Sequence, residues 1–140
     1  MAINAYTVST AINGEPNTTG VYTNTTDATQ TTAATFLTRD DHAYSVRARI
    51  TATETTDHDE VAYYERAALF NNDGGTLSLV GSITSLVTIE STAGWDVTLD
   101  ASGDTIRARV TGASSTNITW LVQLDITEVG QYFTAYGPKD

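Results

Sequence analysis

The stretch Ile118-Thr119-Trp120-Leu121-Val122-Gln123-Leu124-Asp125-Ile126-Thr127 decides the fold. Ile118, Trp120, Val122, Leu124 and Ile126 recur at every second position, with Thr119, Gln123, Asp125 and Thr127 between them. That is the period of a strand with one face buried and one wet. Leu121 breaks the pattern, and a leucine on the wet face points to contact with another chain or with the N-terminal arm. Tyr44, Val46, Ala48, Ile50 and Ala52 repeat the same alternation against Ser45, Arg47, Arg49, Thr51 and Thr53. Trp95, Val97 and Leu99 repeat it against Asp96 and Thr98, and Asp100-Ala101-Ser102-Gly103-Asp104 then closes a hairpin into Ile106, Ala108 and Val110.

Working outward, Val61 to Phe70 forms a further apolar run, with Tyr63 and Tyr64 on opposite faces, and it stops at the turn signal Asn71-Asn72-Asp73-Gly74-Gly75. Leu77, Leu79 and Ile83 to Ile89 supply one or two more strands, broken at Gly81. About seven or eight short strands at this spacing predict an all-β chain, an antiparallel β-sandwich of jelly-roll-like type. Residues 1–30 read as an extended N-terminal arm, with one short strand near Thr19 to Thr23, because their few large apolar residues lie scattered among Thr, Asn and Gly. Residues 31–129 read as the sandwich and 130–140 as a C-terminal tail.

Composition narrows the function. The chain has 140 residues, enough for one core. Seventeen acidic residues against seven basic ones leave a net charge of -10, a field that repels phosphate backbones, so no nucleic-acid partner is expected. There is no cysteine, which removes thiolate catalysis and cysteine-held metals. Threonine, at 27 residues, is the most over-used type, and a β-branched polar residue suits the wet faces of sheets. No apolar run approaches the roughly 20 residues of a membrane-spanning helix and no secretory signal is evident, so no membrane partner is expected. The sequons at Asn17, Asn24 and Asn117 are what chance supplies in so threonine-rich a chain.

Catalytic residue types are sparse. His42 and His58 both fall in acidic loop sequence, and no nucleophile elbow accompanies the serines. Asp57-His58-Asp59-Glu60 is the densest set of oxygen ligands, and Asp57, Asp59 and Glu60 are the residues a hard cation would take. The spacing of a calcium loop is absent, and the segment reads as a solvated acidic turn without metal. Glu65 is the one acid in aromatic surroundings, and Arg66 follows it. The expectation is a protein that is not an enzyme and holds no cofactor.

Two strands share a motif, Val46-Arg47-Ala48-Arg49-Ile50 and Ile106-Arg107-Ala108-Arg109-Val110. Arg47, Arg49, Arg107 and Arg109 read as cross-strand ion pairs with neighbours such as Asp125 or Glu65, the alternative being a basic stripe that docks an acidic surface. Candidate contact residues are Tyr6, Val8, Ile12, Val21 and Tyr22 of the arm, Leu121, and the tail aromatics Tyr132, Phe133 and Tyr136. Tyr63, Tyr64, Trp95 and Trp120 are the residue types on which a glycan could stack, although alternation puts both tryptophans on core faces.

Between Thr25 and Thr127 the order of short motifs resembles a β-rich module of virion proteins of tailed bacteriophages, found in tail-fibre-like and head-decoration-like proteins. The motifs are Thr25-Thr26-Asp27-Ala28-Thr29, Ala43-Tyr44-Ser45-Val46-Arg47-Ala48-Arg49, Ala62-Tyr63-Tyr64-Glu65-Arg66-Ala67, Gly94-Trp95-Asp96-Val97-Thr98-Leu99-Asp100-Ala101-Ser102-Gly103, Ile106 to Gly112 and Ile118-Thr119-Trp120. Where the module commonly has Arg-Arg in its second strand, this chain has Glu65-Arg66. The resemblance implies a virion structural protein that tends to form homotrimers and carries no catalytic residues. Within that, the first expectation is a capsid decoration protein bound to the major capsid protein of the head shell. The alternative is a tail-fibre or receptor-binding module that recognises host glycans.

Overall fold

The computed structural model describes residues 20–91 and 94–130, with the backbone of Phe133–Thr134 and Gly137–Pro138. Eight strands form two antiparallel sheets: β1 (Val21–Thr25), β2 (Thr31–Leu37), β3 (His42–Glu54), β4 (Val61–Asp73), β5 (Thr76–Glu90), β6 (Asp96–Ser102), β7 (Thr105–Thr111) and β8 (Ile118–Gly130). The larger sheet runs β1-β8-β3-β4-β5 and the smaller β2-β7-β6. Two short strands, β9 (Phe133–Thr134) and β10 (Gly137–Pro138), pair with each other. The architecture is an all-β sandwich, as the alternation predicts.

Each alternating run buries its apolar set. Tyr44, Val46, Ala48 and Ile50 of β3 and Ile118, Trp120 and Val122 of β8 are at most 2% exposed, and they meet Val97, Leu99, Ile106, Ala108 and Val110 of the smaller sheet. Trp120 lies at the centre, its ring 5.7 Å from that of Trp95 and 6.5 Å from that of Tyr64. Its indole N–H donates to Thr25 Oγ1 at 2.9 Å, so the one polar atom of the largest core residue is satisfied. Thr23 Oγ1 likewise donates to the Ala33 carbonyl at 3.2 Å. Threonine therefore fills the wet faces and also ties β1 across the sandwich.

At the end of the sandwich where β4 turns into β5, buried polar groups close a small network. Asn72, wholly buried, donates from Nδ2 to Thr38 Oγ1 at 3.0 Å and accepts the Gly75 amide at 3.0 Å. Thr38 Oγ1 donates on to the Asp104 carbonyl at 2.6 Å. Nearby, the Tyr44 hydroxyl accepts the Arg39 amide at 2.7 Å, and burial pushes this phenol up to about 12.

The short strand expected near Thr19 to Thr23 is Val21–Thr25, an edge strand that lies on its own domain, paired with β8 from Val21↔Val122 to Thr25↔Ile118, with Val21 5% exposed within the core. The strand exists because Val21 can enter the core while its backbone completes the open edge of β8. Two features differ from the reading of the sequence. The segment from Leu77 to Ile89 is one strand, which passes Gly81 as a β-bulge instead of breaking there. A second shift in the β4–β5 register, between Glu65 and Arg66, buries both of these neighbours and ends the simple alternation of β4.

Candidate interaction face

The outer face of the larger sheet is built by the residues that alternate with the core set. Register places them in rows that cross the strands. One row reads Tyr22, Leu121, Thr51, Tyr63 and Ile89 across β1, β8, β3, β4 and β5. Two residues along, Gln123, Arg49, Glu65 and Val87 form the next row, followed by Asp125, Arg47, Ala67 and Thr84. Thr127, Ser45, Leu69 and Val80 follow, and Val129, Ala43, Asn71 and Ser78 come last.

This face gathers the apolar surface of the molecule. Of eight large hydrophobic residues exposed among the described ones, Tyr22, Val61, Leu69, Val80, Ile89 and Val129 lie on it. Tyr22 and Ile89, at opposite ends of one row, are each 62% exposed. A shallow groove of about 440 Å³ crosses the face between Leu69, Val80, Arg47 and Asp125, and a second of about 220 Å³ lies between Tyr22 and Leu121.

Charge at the middle of the face is balanced. Arg47 Nε donates to Glu65 Oε1 at 2.9 Å, and Tyr63 Oη donates to Glu65 Oε2 at 2.6 Å. The Tyr63 hydroxyl and the Arg47 guanidinium hold the Glu65 carboxyl below its ordinary value. Arg49 Nη2 reaches Asp125 Oδ2 at 3.2 Å. On the smaller sheet Asp100 takes both remaining arginines of the repeated motif, Arg107 at 2.8 Å and Arg109 at 3.6 Å. All four guanidinium groups thus face carboxylates of their own sheet, and they form no uncompensated basic stripe.

Arg66 is handled differently. It is 5% exposed; it donates to the carbonyls of Val97, Glu65 and Val87 and lies 5.2 Å from the Tyr64 ring centroid. Glu65 and Val87 flank the register shift between β4 and β5, and Val97 lies on β6, so the guanidinium joins the bulge to the smaller sheet.

The remaining candidates are dispersed. Glu54, Asp57 and Asp59 bring carboxylate oxygens within 4.8 Å of one another, and Glu60 lines the same acidic hollow. Glu54, which the sequence did not single out, spends its carboxylate on the amides of Asp57 and Thr56, and these bonds hold its carboxyl below the ordinary value. It serves as an internal cap for the β3–β4 loop. His42 begins β3 and His58 follows its end, so 13 residues of strand, about 40 Å, keep the two imidazoles apart.

Tyr22 and Leu121, two of the expected contact residues, are direct cross-strand partners on the outer face, whereas Val21 points inward. Tyr6, Val8, Ile12, Tyr132 and Tyr136 lie outside the described residues, as does the side chain of Phe133. Of the aromatic stacking candidates, Tyr64, Trp95 and Trp120 are buried and only Tyr63 reaches the outer face. Val61, Leu69, Val80, Ile89 and Val129 went unnoticed in the sequence, because their common face appears only once five strands are set in register.

No family model matches the chain, and no curated protein matches it. Among solved structures, the tailspike protein of Acinetobacter baumannii phage AM24 is similar over 79% of this chain, with a TM-score of 0.51 and 8% identity. At that identity the likeness is one of fold. The chain corresponds to 26% of the length of that tailspike.

Proposed function

We propose that this chain is a structural module of a tailed-phage virion, carried on the tail, and that it works by surface contact through the outer face of its larger sheet. The observation that carries the proposal is that face: six of the eight large hydrophobic residues exposed among the described ones gather on it around internally paired charges, on a fold similar to part of a phage tailspike. Patches of this kind on otherwise polar proteins mark interaction surfaces. The order of strand motifs supports a virion setting independently of the fold. The reading includes no catalysis and no cofactor.

Capsid decoration, the first expectation from the sequence, would place the same face against a head shell. Gold-labelled antibody against the chain, imaged on intact particles, tests the proposal. Label on tail fibres or tailspikes is expected; label on the head surface alone would replace the tail reading with decoration, and unlabelled particles would end the virion reading.

A further inference from the structure

We infer that the occupant of the outer face is a second copy of this chain. The inference rests on the reading of that face as a contact surface and adds the identity of what covers it.

Charge is the first argument. From the row of Val129 and Ala43 to that of Thr53 and Val61, the described charged residues of the face are Arg47, Arg49, Glu65 and Asp125, which sum to zero. Among the described residues, four basic and thirteen acidic ones lie elsewhere, a net charge of -9. Two identical molecules repel through most orientations. They can approach through this face without bringing like charges together, and the mixed signs let Arg47 or Arg49 of one copy meet Asp125 of the other. A strongly cationic partner would instead be drawn to the acidic remainder of the surface.

Area is the second argument. Strands β3 and β8, 13 residues each, are about 40 Å long, and the five strands span about 20 Å where the five-residue β1 runs. A footprint of up to about 800 Å² is comparable with the ~800 Å² per partner of a standard stable interface. The face is also compositionally suited, with Tyr22, Leu121, Tyr63 and Ile89 in one row, interrupted only by Thr51, that contains no charge.

Light scattering and sedimentation equilibrium on the full chain, at concentrations up to the high micromolar range, test the inference. The expected mass is a multiple of 15.0 kDa. Ile89→Asp is expected to weaken association about tenfold or more, since it puts an unpaired charge in the apolar row. Leu37→Asp, at a residue 64% exposed on β2, adds the same charge away from the face and is expected to leave the mass unchanged. Near-UV circular dichroism from the Trp95–Trp120 pair checks that both variants stay folded, and Tyr22→Asp repeats the test from the opposite edge. A monomeric wild type overturns the inference, as does an Ile89→Asp protein of undiminished mass or an equal effect of Leu37→Asp. A monomer that still labels phage tails would overturn self-docking alone and leave the proposed function standing.

Discussion

At the scale of single residues, two buried polar groups show how a threonine- and asparagine-rich chain keeps a tight core. Asn72 has no exposed surface, yet both ends of its amide are paired, to Thr38 and to the Gly75 amide. Removing it strands buried partners, a loss larger than that of the bonds themselves. Asn72→Ala is expected to destabilise the fold by about 2–3 kcal/mol, read as a shift of the urea midpoint at constant slope. Glu65 gives a pH-dependent counterpart. Its folded-state pKa lies below the ordinary value because Tyr63 and Arg47 favour the carboxylate. The stability it contributes is therefore present above the unfolded value of about 4.3 and is lost as pH falls through the lower folded value. Glu65→Gln is expected to be less stable than wild type at pH 7, with the gap closing below about pH 4. Urea midpoints taken across that range check it, and a constant gap would show that the pair adds nothing through its charge.

At the scale of elements, the strands most legible in the sequence are those with unbroken pairing. β3 and β8 alternate over most of their length because each is flanked on both sides in the sheet and faces the smaller sheet on one side. β4 and β5 are less legible, and the cause is local: two register shifts in their ladder change which residues share a face. Glu65 and Arg66 are adjacent and both buried, which alternation alone forbids. Gly81 looked like a break because glycine weakens strands, but here it supplies a backbone angle of φ +73° inside a continuous strand. The candidate face was illegible for a related reason. Its rows join residues from five strands, and periodicity within one strand says nothing about its neighbours. The bulge yields a prediction at this scale. A Cβ at Gly81 would meet nothing within 4 Å, so Gly81→Ala is expected to cost only the backbone penalty, about 1–2 kcal/mol. At Gly130 the added carbon would run into the His42 ring, so Gly130→Ala is expected to cost more, although its backbone is unstrained. Thermal denaturation of the two variants side by side gives the order.

At the scale of the whole molecule, charge and apolar surface are segregated, and that segregation fixes how association responds to salt. Between the rows of Val129 and Val61 the outer face of the larger sheet is neutral, while the other described residues carry a net charge of -9. If an uncompensated basic stripe docked an acidic surface, added salt would screen the attraction and weaken binding. The arginines of that supposed stripe are paired with Glu65, Asp125 and Asp100 within their own sheets, so this attraction is not on offer. For face-to-face copies the dominant long-range term is repulsion between two bodies of charge -10, and the short-range term is apolar burial that salt does not screen. Raising ionic strength from about 0.01 M to about 0.1 M shortens the screening length from roughly 30 Å to roughly 10 Å, less than the width of the molecule. Self-association is therefore expected to tighten over that interval, measured as a rising weight-average mass at fixed protein concentration. Weakening with salt would mean that opposite charges, and not apolar burial, drive the contact.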